Sequence, residues 1–201
     1  MMRLLSAPPS PFGRKVKMVV HIKGLAERVT VELADPREPD AALAAANPLG
    51  KIPALVLEDG TTLFDSKVIC EYLDSLAPAP VMFPPAGLER YRMLTHAALA
   101  DGIMEAALLI VYEDRYRPAD KRVPTWIARQ QAKIDGGLAA FETAPPQLSG
   151  APDYAAVTLA AALGYLDFRL DGLWRAGHPA LKSWLDRFAA AVPAFGKTAP
   201  S

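Results

Sequence analysis

Apolar and polar positions follow two different patterns in the two parts of the chain. Up to residue 77, short apolar segments that fit strands alternate with segments in which apolar residues recur at helical spacing. The strand-like segments are residues 3–7, 28–33, 54–57 and 61–64, and the helical ones are residues 11–23, 39–46 and 66–76. From residue 88 onward we find helical spacing only, over residues 88–117, 125–143, 154–171 and 179–192.

Turn and cap residues support the order β-α-β-α-β-β-α in the first part. Pro11 suits the first turn of a helix and Gly24 suits the C-terminal end of the same helix. Asp59-Gly60 between two apolar segments predicts a hairpin, so the last two strands should be antiparallel. A helical crossover joins the first two strands, which should therefore be parallel. These signals predict an α/β domain with a mixed four-stranded sheet.

A proline-rich segment separates the two patterns. It contains Pro78, Pro80, Pro84 and Pro85, a composition typical of a stiff linker. The sequence thus predicts an α/β domain over residues 1–77, a linker over 78–87 and an all-helical bundle over 88–201. We expect the last residues, 197–201, to fray.

Composition and charge exclude several classes of function. The 201 residues are 51% hydrophobic and 22% charged, which is enough apolar material for a buried core. Lysine and arginine number 22, and aspartate and glutamate also number 22. A net charge of zero gives no electrostatic reason to bind nucleic acid or an anionic membrane.

Other signals bear on metals, disulfides and location. Cys70 is the only cysteine, and the three histidines show no ligand spacing, so we expect neither a disulfide within the chain nor a metal site. Residues 1–9 lack the apolar stretch of a signal peptide. The apolar run 154–166 is shorter than the roughly 20 residues of a spanning helix. We therefore expect a cytoplasmic protein with no membrane association.

The first candidate site is Ser10-Pro11-Phe12-Gly13, where the first strand gives way to the first helix. Unpaired amides and the helix dipole make such a turn suitable for an anion, and a serine hydroxyl can donate a further hydrogen bond. A thiolate would benefit from both, since helix N-termini lower the pKa of thiols. The alternative is that Ser10 is an ordinary helix cap.

Two further segments suggest recognition of a peptide-like ligand. Ile52-Pro53 directly precedes a strand, and a cis bond there would turn the backbone groups of Ile52 outward, where an extended ligand could pair with them. At the start of the third helix, Ser66 and its neighbouring amides can hold a carboxylate, and Asp65 can hold an ammonium group. An amino-acid head group carries both charges. The alternative, which the pair by itself favours, is an ordinary helix cap.

Taken in this order, the motifs resemble the glutathione transferase family, and in particular its bacterial members with a first-turn serine. The motifs are Ser-Pro-Phe at residues 10–12, Asn-Pro-Leu-Gly-Lys-Ile-Pro at 47–53 and Leu-Phe-Asp-Ser at 63–66. In the helical part, residues 100–104, 164–169 and 178–181 are also similar to the family. The resemblance covers nearly the whole chain.

The resemblance implies a thioredoxin-like N-terminal domain that binds glutathione as co-substrate, with no other cofactor. In that case Ser10 activates the sulfur, and Ile52, before the family's cis-proline Pro53, pairs with the cysteinyl part of glutathione. The remaining positions that match glutathione-binding residues are Phe12, Lys51, Asp65 and Ser66. Many members have glutamate where Asp65 stands, and the first-turn motif often has arginine where this chain has Lys15.

The resemblance also implies a hydrophobic electrophile in a cleft between the domains, detoxification as a role and a homodimer. Candidate residues for the electrophile are Met104 and Tyr112, although helical spacing favours a place in the core for both. Some members use an acidic residue of this helix toward the glutathione of the other subunit, and Asp101 is the candidate here. Its alternative is a place on a solvated helix face.

Three functions remain open from the sequence. The leading one is transfer of glutathione to an electrophile. The second uses glutathione catalytically, in isomerisation or dehalogenation, and the Ser-Ser-Cys first-turn motif of maleylacetoacetate isomerases is absent. The third is a non-catalytic binding protein with the same fold, since fold does not fix function.

Overall fold

The computed structural model describes residues 1–38 and 40–200 of the chain. The chain forms two compact units: Met1–Pro84 together with the segment that begins at Val192, and Pro85–Ala191. The division after Pro84 falls inside the predicted linker. The last segment differs from the prediction, because the sequence assigned it to the helical domain and the structure places it in the first unit.

The first unit contains a four-stranded mixed sheet. Its strands are β1 (Met2–Ser6), β2 (Val29–Leu33), β3 (Ala54–Val56) and β4 (Thr62–Phe64), and their spatial order is β2-β1-β3-β4. Strands β1 and β2 are parallel, whereas β3 is antiparallel to both β1 and β4. The predicted mixed sheet, with a parallel first pair and an antiparallel last pair, is confirmed.

The first unit also contains the helices α1 (Pro11–Ile22), α2 (Ala41–Ala46) and α3 (Ser66–Ser75). Leu5 and Ala54, which are paired across β1 and β3, belong to a buried cluster with Leu43 of α2. Because successive side chains of a strand point to opposite faces, Leu4 and Leu55 point the other way, and both are completely buried. Helix α2 begins after Asp40, and the predicted start of this helix at Pro39 lies outside the described residues.

Side-chain caps begin four of the helices. The hydroxyl of Ser10 accepts from the amide of Gly13 at 3.1 Å, and the carboxylate of Asp40 accepts from Leu43 at 2.9 Å. The carboxylate of Asp65 accepts from Lys67 at 2.7 Å and that of Asp153 accepts from Ala156 at 2.8 Å. Each bond satisfies an amide that has no partner inside its helix, which is why these positions fix the helix starts.

The residues after α3 are held by one buried lysine. The ammonium group of Lys23, whose side chain is 1% exposed, donates to Asp74 Oδ1 at 2.8 Å and to the carbonyls of Ala77 at 2.7 Å and Pro80 at 2.5 Å. Asp74 in turn accepts from the amides of Met82 and Phe83. The proline-rich segment up to Pro84 is therefore bound to α1 and α3.

The second unit is helical, as predicted. It consists of α4 (Gly87–Tyr116), α5 (Pro124–Thr143), α6 (Tyr154–Arg169) and α7 (Pro179–Ala191), and both α5 and α6 pack on α4. Helix α6 is buried from Tyr154 through Leu166, so it is the centre of this core. By length and composition α4 could also cross a membrane, a test that core helices of soluble proteins pass as well.

A short helix near the end of the chain, α8 (Pro193–Lys197), belongs to the first unit. The sequence analysis did not predict it. It packs on α1, and Arg14 of α1 donates to the carbonyl of Phe195 at 2.9 Å. Thr198 is buried and donates to Ala194, so this part of the expected frayed end is ordered by contacts. Five residues are too few for a periodic pattern, which explains why the sequence did not reveal this helix.

We expect Lys23→Met to lower the free energy of unfolding by about 3–5 kcal/mol, because it leaves the half-buried Asp74 without its cation. Chemical denaturation followed by circular dichroism measures the change. The matched control is Arg92→Met, which breaks an ion pair with Glu89 that is exposed on both sides and should change stability little. Equal stability of the two variants would contradict the structural role of Lys23.

Candidate functional site

The register of the sheet brings the three sequence motifs to one edge. Ala54 at the start of β3 pairs with Leu5 near the end of β1 and with Phe64 at the end of β4. The residues that follow β1, precede β3 and follow β4 therefore emerge side by side. These are the Ser10 turn, the Ile52-Pro53 segment and the Asp65-Ser66 pair, which are separated by up to 56 positions in sequence.

Ser10 occupies the N-cap of α1, with Pro11 as the first helical residue. Its backbone is extended, and its hydroxyl oxygen accepts from the amide of Gly13. A hydroxyl has one donor and two acceptor positions, so the Ser10 proton remains available to a ligand while the oxygen caps the helix. Capping and sulfur activation, which the sequence analysis posed as alternatives, are compatible in this geometry.

Gly13 allows α1 to approach the end of β1 closely. A Cβ atom added at Gly13 would lie 2.1 Å from the hydroxyl oxygen of Ser6, and no closer than 3.4 Å to Ser10. The Ser6 hydroxyl is buried and has no hydrogen-bond partner within the described part of the chain. The contact between Ser6 and Gly13 thus sets how near the helix start lies to the strand, a constraint that the sequence analysis missed.

Two cations follow Ser10 on the first turns of α1. Lys15 is completely buried, and its ammonium lies 5.7 Å from the ring centre of the half-buried Phe12. Arg14 is 4% exposed, and its guanidinium lies 4.1 Å above the ring of Phe195. The N-terminus of α1 itself, with its unpaired amides and helix dipole, favours an anion near Ser10.

The segment before β3 is organised by Asn47. Its side-chain amide donates to the carbonyl of Lys51 at 2.8 Å, while its side-chain oxygen accepts from Leu49 at 3.0 Å. Gly50 adopts φ of +60° within this loop. The Ile52–Pro53 bond is cis, as the resemblance implied, Pro53 is buried and Lys51 is exposed. Asn47 is a further residue that sequence reasoning did not single out, although it lies within the quoted motif.

Asp65 and Ser66 form the third part of the edge. Asp65 has φ of +44°, a left-handed value that is uncommon outside glycine, and it is exposed. Its carboxylate caps α3 through Lys67, and Ser66 is the first helical residue, with 5% exposure. The strained backbone at Asp65 is what directs the chain from β4 into α3. Because α3 also begins at this edge, two helix N-termini converge on it.

The tentative residues Asp101, Met104 and Tyr112 all lie on α4 of the second unit. Met104 is completely buried, so it occupies a core position, while Asp101 and Tyr112 are half-buried. The Tyr112 ring meets that of Tyr116 edge-on at 5.1 Å. Burial, and then the neighbouring Tyr116, raises the pKa of Tyr112, so its phenol stays protonated at neutral pH.

A cavity of about 350 Å³ lies in the second unit, at the ends of α4 and α6. It is lined by Ile110, Val111, Asp114, Arg115, Arg169 and Leu170, and it includes none of the tentative residues. In residues 1–38 and 40–200, no three His, Cys, Asp or Glu side chains come together to hold a metal ion.

Comparison with known proteins shows which family the chain is similar to. Residues 9–76 match the family model "Glutathione S-transferase, N-terminal domain", and residues 124–187 match "Glutathione S-transferase, C-terminal domain". The chain is 38% identical over 171 residues to the uncharacterized GST-like protein YibF of Escherichia coli K12, an alignment that covers 84% of this chain and 83% of that protein.

Two further relatives bear on function. A glutathione transferase family member from Pseudomonas fluorescens Pf-5, whose crystal structure contains bound glutathione, superposes with a TM-score of 0.93 at 41% identity, over 100% of both chains. A maleylacetoacetate isomerase from Pseudomonas aeruginosa is 30% identical over 150 residues, which is 70% of this chain and 68% of that protein.

The Ser6–Gly13 contact predicts a specific pattern of stabilities. Gly13→Ala should lower the free energy of unfolding by about 1–3 kcal/mol through overpacking. Ser6→Ala should be nearly neutral, because it removes a hydroxyl without a partner, and it should restore most of the loss in the double variant.

Gly136→Ala is the matched control for this prediction. Gly136 also lies inside a helix, but its added Cβ would meet nothing within 4 Å, so alanine should stabilise by up to about 1 kcal/mol. Thermal unfolding of the five proteins tests the prediction. Purely additive effects of Ser6→Ala and Gly13→Ala would contradict the close contact.

Proposed function

The chain belongs to the glutathione S-transferase family, and from this membership and its site geometry we propose that it transfers the glutathione thiolate to a hydrophobic electrophile. The observation that carries the proposal is the sheet edge where Ser10, Ile52-Pro53 and Asp65-Ser66 emerge together. The bound glutathione of the Pseudomonas fluorescens relative supports the choice of ligand.

In the proposed mechanism, the thiol of glutathione lies against Ser10. The hydroxyl oxygen already accepts from Gly13, so its proton is directed to the sulfur. This hydrogen bond and the N-terminus of α1 both stabilise the thiolate more than the thiol, which lowers the thiol pKa. The thiol proton is released to solvent before the chemical step.

The rest of glutathione would follow the edge. Backbone groups of Ile52 pair with the cysteinyl part as an added strand would. Ser66 and the amides that begin α3 hold the γ-glutamyl carboxylate, and Asp65 holds its ammonium group. Lys51 is exposed and has the charge to bind the other carboxylate. We propose that Phe12 packs against glutathione near the sulfur.

The thiolate sulfur then forms a bond to an electrophilic carbon. In a substitution the leaving group departs with the electron pair of its bond, and in an addition the pair moves into the substrate and is later protonated. This step uses no metal ion or redox cofactor. We propose that Asp101 acts toward the glutathione of the other subunit of a dimer. We also propose that this reaction serves detoxification and takes place in the cytoplasm.

The main alternative is glutathione-dependent isomerisation, which the similarity to a maleylacetoacetate isomerase favours. There the thiolate adds to a double bond, a rotation follows and the thiolate leaves, so glutathione is regenerated. Product analysis separates the two reactions, because glutathione is consumed in conjugation and unchanged in isomerisation. Saturable glutathione binding without either reaction would favour the non-catalytic binding protein.

We expect Ser10→Ala to raise the pKa of the bound thiol by about one unit or more and to lower kcat/KM at neutral pH about tenfold or more. An assay with glutathione and an aryl halide, run across pH, measures both. Ser66→Ala should instead weaken glutathione binding in calorimetry, with the thiol pKa little changed, because Ser66 contacts the far end of the ligand.

Ser10→Asn is the control that separates capping from catalysis. Asparagine is as good an N-cap as serine, so the variant should keep its stability, yet it lacks the hydroxyl and should lose activity like Ser10→Ala. Ser75→Ala, at the far end of α3, should behave as the unchanged protein. Full activity in both Ser10 variants would refute the assignment of Ser10.

We also propose a homodimer, because apolar residues are exposed on both sides of Asp65-Ser66. Phe64 is 40% exposed and Val68 is 47% exposed. Val68→Glu should shift sedimentation toward the monomer, whereas Val81→Glu, at an exposed position of the proline-rich segment, should not. A monomeric starting protein would refute this proposal without affecting the assignment of Ser10.

A further inference from the structure

The end of the chain is bonded to the first turn of the helix that carries Ser10. Arg14 Nη2 donates to the carbonyl oxygen of Phe195 at 2.9 Å, and the guanidinium stacks over the Phe195 ring at 4.1 Å. The same residue donates its backbone amide to the carbonyl of Ser10 at 2.9 Å. Arg14 is thus in direct contact with both the helix cap and the end segment.

The contact supplies an acceptor to the buried Arg14 guanidinium and a donor to the Phe195 carbonyl. Phe195 lies in the five-residue helix α8, and its carbonyl oxygen accepts from Arg14 and, at 3.4 Å, from the hydroxyl of Thr198. Arg14 is 4% exposed, and a guanidinium so removed from water needs acceptors to offset its lost hydration. Movement of α8 would therefore remove one hydrogen-bond acceptor and the ring contact from a buried guanidinium, and the first turn of α1 would adjust to the change.

Helix α8 packs on α1. Within the segment, the Thr198 hydroxyl donates to the carbonyl of Ala194 at 2.8 Å, and Thr198 and Ala194 are both buried. Further along α1, the charge of Lys197 contributes, after burial, to lowering the pKa of His21, so the two helices stay close beyond Arg14. The segment from Pro193 to Thr198 is an ordered part of the first unit.

We propose that this end segment is a positioning element of the sulfur site and that Arg14 is the positioning residue through which it acts. By fixing the Arg14 guanidinium, Phe195 fixes the first turn of α1, and with it the direction of the Ser10 hydroxyl and the Gly13 amide. Hydrogen bonds weaken steeply with misalignment, so a loosened turn stabilises a thiolate less. The inference rests on the proposed glutathione chemistry and adds a remote determinant of its thiol pKa.

Three variants test the proposal, two of them in the full-length chain. A chain that ends at Ala191 removes the acceptor but keeps the Arg14 charge, Phe195→Ala removes only the ring contact, and Arg14→Gln removes the charge. Bound-thiol pKa is measured from the pH dependence of thiolate ultraviolet absorbance, alongside glutathione affinity by calorimetry and thermal unfolding.

We expect the shortened chain and Phe195→Ala to raise the thiol pKa by about half a unit, which lowers kcat/KM at neutral pH about threefold, with recovery at high pH. Arg14→Gln should raise it further, since it also removes a nearby positive charge. The control is Arg175→Gln, which breaks the bidentate pair with Asp167 in the second unit and should lower stability while leaving the thiol pKa unchanged.

The outcomes separate the possible failures. An unchanged thiol pKa in Phe195→Ala and in the shortened chain would overturn the proposal and leave the segment a role in stability alone. If the shortened chain does not fold, Phe195→Ala decides. A shift of the same size in Arg175→Gln would also overturn it, because the effect would then follow general destabilisation. Absence of a thiolate signal in the unaltered protein would overturn the proposed function itself.

Discussion

The double pairing of Ala54, with Leu5 on one side and Phe64 on the other, is the constraint on which the proposed site depends. Each of these residues adjoins a segment that carries one part of the site. Ala54 and Leu55 are both buried on opposite faces of the sheet, so a slip of one residue would exchange a small and a large side chain between two packed faces. The hydrophobic core thereby determines which polar groups meet at the edge.

At this edge the same atoms serve structure and proposed chemistry. The oxygen of Ser10 accepts from Gly13 to begin α1, and its proton remains free to bind sulfur. The carboxylate of Asp65 begins α3 in the same way, through Lys67. A helix start needs an acceptor side chain at its N-cap and presents unpaired amides to a ligand, so one residue type meets both requirements. This shared demand is why a cap and a binding site could not be distinguished from local sequence.

Buried cations connect this edge to distant parts of the first unit. Lys23 at the end of α1 holds the proline-rich segment through Asp74 and two carbonyls, and Arg14 near its start holds the end of the chain through Phe195. Both side chains donate hydrogen bonds to backbone carbonyls. Which carbonyls lie within reach depends on the path of the chain and not on residue type. The sequence analysis gave neither Arg14 nor Lys23 a role.

The sequence by itself determined the elements, the strand directions and the three motifs, because periodicity, turn residues and caps are local properties that act within a few positions. It placed Ser10, Ile52-Pro53 and Asp65-Ser66 at element ends, and the structure finds them there. Only the tertiary structure decided that Ser6 contacts Gly13, that Asn47 organises the loop before Pro53 and that α8 joins the first unit. These are packing and hydrogen-bond contacts between chain segments that the fold brings together, and several of them depend on backbone atoms that every residue shares.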